Sequence, residues 1–171
     1  MDPIFIIGQI FGIIAIVLGF LSYQMKDQRK LMILLGCTAL VFTIHYLMIG
    51  AMTGMALNIV VLVRCIVYYF RNKKGSNEKI SPIIFAVILV AIGIFTWEDW
   101  YSVFILLGLA ISTLCMALPS AQKIRYSILV TSPLVIIYNL FALSFGGIVF
   151  EVVVIVSSII GIIKYRKAPK D

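Results

Sequence analysis

Thirteen of the 14 Lys and Arg residues fall in four clusters, one in every second gap between long apolar stretches. The clusters are Lys26/Arg29/Lys30, Arg71/Lys73/Lys74/Lys79, Lys123/Arg125 and Lys164/Arg166/Lys167/Lys170. The gaps between them hold no Lys or Arg, and one carries Glu98 and Asp99. Basic connections remain on the cytoplasmic side of a bilayer, so this alternation predicts both a multi-pass membrane protein and its orientation. The chain is 63% hydrophobic with a mean hydropathy of +1.14, which suits lipid as the solvent. The net charge of +7 is then a topology signal that favours anionic headgroups, and nucleic acid is not an expected partner.

About 20 helical residues cross the hydrocarbon layer, and backbone groups in lipid must pair within the helix itself. Seven spans are predicted, at 4–25, 30–50, 54–71, 80–97, 101–118, 123–143 and 146–164. Short turns join Gly50 to Gly54 and Ser144 to Gly147. Trp97, Trp100 and Tyr101 flank the acidic turn, as in a headgroup-level aromatic belt. With every basic gap on one side, the N-terminus lies outside and the C-terminus inside. The first apolar stretch, Ile4 to Tyr23, is too long for the core of a signal peptide. Cys37, Cys65 and Cys115 sit inside apolar runs and are expected as free thiols.

Shifting the chain by 93 positions lays residues 19–74 over 112–167 without a gap. Ile44 meets Ile137, Leu47 meets Leu140 and Gly54 meets Gly147. Val60, Val61 and Val63 meet Val153, Val154 and Val156, and the basic ends coincide. The expected fold is all-α and integral to the membrane, with seven helices as 3+1+3. The divisions are a first triple-helix bundle over 1–74, a linker and linker helix over 75–99, and a second bundle with a basic tail over 100–171. An odd linker helix makes the two bundles parallel repeats about an axis along the membrane normal.

Polar side chains inside spans are costly and usually face the bundle interior. His45 and Glu151 each lie about five residues below an outer turn, roughly 7–8 Å deep. The 93-residue shift pairs Glu151 with Asn58, His45 with Tyr138 and Tyr46 with Asn139. Asn58, Glu151, His45, Tyr46, Tyr138 and Asn139 are therefore expected as a substrate-binding ring at one depth between the repeats. The competing reading is that they hydrogen-bond between helices as glue, at about 0.6 kcal/mol per contact. Arg64 lies about 10 Å from the cytoplasmic end of its helix and about 120° around from Asn58, so the two are not expected to share a face. Gln9 and the Gly8-x-x-x-Gly12 pair are expected to permit close helix packing.

The stretch GFLSYQMKDQRKLMILLGCTALVFTIHYLMIGAMTGMALNIVVLVRCIVYYF, residues 19–70, resembles the bacterial YgjV inner-membrane protein family. The 3+1+3 plan is similar to the SWEET and PQ-loop superfamily. This resemblance implies a multi-pass protein of the bacterial inner (cytoplasmic) membrane. It also implies a substrate-facing asparagine on the third helix of each bundle, a role that Asn58 fits and that Glu151 replaces in the second. The chain departs from the PQ-loop pattern: Tyr23-Gln24 lacks the proline, and Pro119 precedes Gln122 by three residues. Hinge prolines are limited to Pro119 and Pro133, both in the second bundle.

No phosphate-cradling glycine loop, metal-ligand set or Ser/His/Asp arrangement can be assembled around a single histidine. No enzymatic activity, cofactor or metal is expected. The expected function is a small-solute transporter or facilitator working by alternating access, and the alternative is a receptor or structural membrane protein that does not transport. The expected partners are the lipid bilayer and a small solute, and both monomer and homodimer remain open.

Overall fold

A computed structural model describes residues 3–73, 80–118 and 120–165, and the side chains of 72 and 73 are left out. The expected linker segment over 74–79, Pro119 and the basic tail from Arg166 onward lie outside the described residues. Seven helices account for nearly all of the rest. They are α1 (Pro3–Gln24), α2 (Gln28–Ile49), α3 (Met52–Lys73), α4 (Ile80–Phe95), α5 (Ser102–Met116), α6 (Ala121–Phe141) and α7 (Phe145–Lys164). Five are long and apolar enough to cross a membrane; α4 and α5, with 16 and 15 residues, are shorter than the spans expected over 80–97 and 101–118. At the helical rise they extend about 24 Å and 23 Å. The turn between them, Thr96 to Tyr101, has its own work: Thr53 Oγ1 donates to the Thr96 carbonyl and Glu98 accepts from the Met52 N–H at 2.6 Å. Glu98 thereby supplies an anion at the α3 N-terminus, where the helix dipole favours one.

Neighbouring helices form a closed ring in the order α1, α2, α3, α5, α6, α7 and back to α1, with α4 against α3 and α5. The ring is apolar outside, and its polar side chains are gathered within among an apolar core. Ile6, Ile13, Val17, Val87, Val130 and Ile163 are among many large apolar side chains on the exterior, whereas Ser22, Thr53, Ser112, Thr113, Thr131, Ser157 and Ser158 are buried. A lipid exterior gives apolar side chains no reason to turn inward, so small residues and interhelical hydrogen bonds govern the packing. Helix α1 follows this rule closely. Its buried face is Gly8, Gly12, Ala15, Gly19, Ser22 and Tyr23, spaced three or four apart. A Cβ on Gly12 would stand 2.8 Å from Gly146 Cα, and one on Gly19 would overlap the Phe150 ring. The Gly8/Gly12 pair thus permits α1 to lie directly on α2 and α7.

A spacing of 93 also separates certain helix starts and turns. The first residues of α2 and α3 stand 93 positions before those of α6 and α7. Among the described residues the two with positive φ are Gly50 (80°) and Leu143 (53°), again 93 apart. Each ends a helix with a bond spanning five residues: Ala51 N donates to the Tyr46 carbonyl and Ser144 N to the Asn139 carbonyl, both at 2.9 Å. This is the Schellman geometry, which terminates a helix through one left-handed residue. Leucine in that conformation costs about 1–2 kcal/mol. The three cysteines are free.

The α1–α7 crossing leads to a specific expectation. Gly12→Val should lower detergent-solubilised stability by at least about 1–3 kcal/mol, as overpacking does. Gly36→Ala, where a Cβ meets nothing closer than 3.5 Å, should leave the melting temperature nearly unchanged.

Candidate functional site

The six ring helices line a central cavity of about 90 Å³. Of its 21 lining residues, fourteen form pairs 93 positions apart: Tyr23/Met116, Leu35/Ile128, Thr38/Thr131, Ala39/Ser132, Phe42/Val135, Asn58/Glu151 and Val61/Val154. The cavity therefore takes matching wall positions from α1–α3 and α5–α7. Most of the wall is apolar, with hydroxyls from Thr38, Ser112, Thr131 and Ser132, and with Tyr46, Asn58, Glu151 and Arg64 as the larger polar groups.

The six residues expected in one ring separate into two sets. Asn58, Glu151 and Tyr46 line the cavity; His45, Tyr138 and Asn139 do not, and are at most 1% exposed in a polar layer toward the Glu98 end. Their positions follow from what they hold. The His45 Nδ1 lies 2.8 Å from the Gly8 carbonyl, which can only accept, so Nδ1 carries the proton. The Nε2 then accepts from the Ser144 hydroxyl at 2.7 Å, and Ser144, the N-cap of α7, accepts from the Gly147 N–H. At the matching place in the first half, the Tyr138 hydroxyl accepts directly from the Gly54 N–H of α3 at 3.0 Å. Both side chains thus satisfy orphan donors at the start of a helix. Tyr46 donates to Asn139 Oδ1 at 2.7 Å, so two positions related by the recurrence bond each other across the bundle. Gln9 completes the layer by accepting from the Gly146 N–H and donating to the Leu143 carbonyl.

Within the cavity, Asn58 Nδ2 donates to the Gly54 carbonyl one turn earlier, and Glu151 lies beside Ser132 of α6. Arg64 overturns the expectation that it and Asn58 face apart: both line this cavity. Its side chain is long enough to bring the guanidinium round from a backbone position on another face. Arg64 is 1% exposed, donates to Thr113 Oγ1 and contacts Met116 Sδ at 3.2 Å, while its Nε has no partner. The hydroxyls of Ser112, Thr113, Thr131 and Ser132 also escaped the sequence reading. Serine and threonine are common glue in apolar helices, and nothing local separates a cavity hydroxyl from one that bonds its own helix, as Thr113 does to the Leu109 carbonyl.

The opposite end of the bundle is also held by side chains reaching helix C-termini. Arg125, 2% exposed, donates to the Tyr23 and Met25 carbonyls at the end of α1 and to Gln122, and its guanidinium stacks over Tyr165. Arg71 donates to the Ala117 carbonyl after α5 at 2.6 Å, where Gln28 also donates to the Leu118 carbonyl. Cations at helix C-termini complement the dipole.

A family model described as bacterial inner membrane protein, Imp-YgjV, matches residues 6–169, and the chain belongs to that family. It is a multi-pass inner membrane protein. No curated protein and no solved structure matches it.

The Tyr46–Asn139 bond should be measurable. A double-mutant cycle with Tyr46→Phe and Asn139→Leu should give a coupling energy of about 0.6–1.7 kcal/mol in unfolding experiments, the range of interhelical hydrogen bonds in membranes.

Proposed function

We propose that the protein is a small-solute transporter or facilitator whose site is the central cavity between two parallel triple-helix repeats. In this reading α1–α3 and α5–α7 are the repeats, α4 is the linker helix, and the fold is SWEET-like. The reading is carried by one observation: fourteen of the 21 cavity-lining residues are paired by the same 93-residue shift that relates the helix starts and the two left-handed turns. A cavity on a pseudo-two-fold axis can be opened alternately by rocking one half against the other. In this reading the Arg125 end, which carries the basic clusters, faces the cytoplasm and the Glu98 end faces outside.

Both ends are spanned by hydrogen bonds between the halves: His45–Ser144, Tyr46–Asn139 and Tyr138–Gly54 on one side, and Arg125–Tyr23, Gln28–Leu118 and Arg71–Ala117 on the other. Alternating access requires one set to part while the other holds. Each is worth on the order of a kcal/mol, so such an exchange is nearly balanced. Asn58, Tyr46 and Glu151 would contact the solute. His45, Tyr138 and Asn139 would act one step back, closing the outer end. Pro133 inside α6 removes a backbone donor and is a candidate hinge.

Single cysteines placed at Asn58 and Glu151, in a background without the native three, test the reading. A transporter should show both positions modified by membrane-impermeant reagents from either face of the membrane, with solute shifting the balance. Labelling from one face alone, or from neither, would move the assignment to a receptor or structural protein.

A further inference from the structure

We propose that the cavity is built to hold a small zwitterion, with the solute's anionic group on Arg64 and its cationic nitrogen on Glu151. This rests on the solute-transporter reading and adds the chemical class of the solute.

The two ionisable acid–base groups of the wall are among the places where it departs from the 93-residue pairing. Glu151 is matched in the first half by the neutral Asn58. Arg64 is matched in the second half by Ser157, which is turned away from the cavity to donate to the Phe20 carbonyl and accept from Gln24. Each half thus contributes one ionisable side chain, basic from the first and acidic from the second. Counting from the N-termini of α3 and α7, Arg64 lies roughly 9 Å deeper along the bundle than Glu151. Among the described residues no ion pair joins them.

Arg64 supplies the second observation. Guanidinium stays protonated in proteins, and a buried cation without an anion is strongly unfavourable. Yet its side-chain partners are the Thr113 hydroxyl, the Met116 thioether and the Cys65 thiol, none of them an anion, and its Nε is buried without a partner. The other described carboxylates are engaged or distant: Asp27 caps α2 and pairs with Arg29, while Glu98 and Asp99 serve the turn before α5. A solute carboxylate, phosphonate or sulfonate would meet the Arg64 guanidinium, with the Ser112 hydroxyl on the same wall. A solute ammonium at the other pole would meet the Glu151 carboxylate and the Asn58 and Ser132 side chains. A net-neutral solute with this dipole offers a partner to both ionisable side chains at once. A simple anion or cation offers a partner to one and leaves the other exposed to the apolar wall.

The test uses the purified full chain in lipid nanodiscs and two sets of probes. The first is the ω-amino acid series from glycine to 6-aminohexanoate, which scans the charge separation, together with the common α-amino acids. The second is the carboxylate, amine and primary amide of matching length for each. Binding is read as a ligand-dependent rise in melting temperature and by titration calorimetry. The expected result is that at least one zwitterion binds tenfold or more tighter than its three analogues. Arg64→Gln and Glu151→Gln should each cut that affinity at least tenfold, while Arg64→Lys restores part of it. Arg64→Lys also guards against a folding defect, since it keeps the charge at that site. Equal or better binding of a single-charge or uncharged analogue overturns the proposal, as does zwitterion binding that survives Arg64→Gln, or a panel without any binder. An uncharged solute that binds through Asn58 and is indifferent to Arg64→Gln would end the zwitterion assignment and leave the transporter reading standing. Failure of that reading shows separately, as one-sided cysteine labelling.

Discussion

Lipid as the solvent is the constraint from which the rest follows. It removes the usual incentive to bury apolar side chains and makes every unpaired polar group outside the protein expensive. The interior consequently gathers the hydroxyls, amides and charges, and the exterior is a continuous apolar surface. Close packing then relies on small residues, as at Gly12 against Gly146, where two backbones nearly touch. A cavity in such an interior is polar in part because the polar residues have nowhere else to go. Occupancy of the interior is therefore weak grounds for function, and the pairing of its wall positions is much stronger.

The same constraint explains why side chains hold helix ends. An α-helix leaves donors at its start and acceptors at its finish without partners, and within the bundle no bulk water serves them. His45 acting through Ser144, and Tyr138 acting directly, serve the starts of α7 and α3; Arg125 and Arg71 serve the ends of α1 and α5. Each tie joins one half of the chain to the other. Groups that complete secondary structure thus also set how firmly the two halves are fastened. The two halves use different residues for equivalent tasks, histidine plus serine against tyrosine, so the fastening need not be equal in strength.

Most of the helices were legible because lipid thickness and charge placement write them plainly into the sequence, and the long ones begin and end within about two residues of expectation. α4 and α5 also fall within two residues of expectation; what the sequence did not show is that Thr96 and Glu98, in the turn between them, bond the start of α3, an interaction between distant segments with no local signature. Depth along a helix was also legible, which is how Asn58, Tyr46 and Glu151 came to be expected near one another. The angle around the helix was less so. Each residue turns the side chain by about 100°, so His45 and Tyr46, neighbours in sequence, point to different tasks. Arg64 was misjudged by the same geometry in reverse, since a long side chain reaches a face its Cα does not present.

The central claim is that two matched halves open the cavity at opposite ends in turn. Spin labels at Leu47 and Leu140, exposed near the Glu98 end and 93 positions apart, and a second pair at Arg29 and Tyr126 near the other end, would report this by pulsed dipolar spectroscopy in nanodiscs. The account predicts two distance populations at each end, with the long-distance weights opposed when conditions are varied. A single narrow distribution at both ends, unchanged across conditions and solutes, would contradict it.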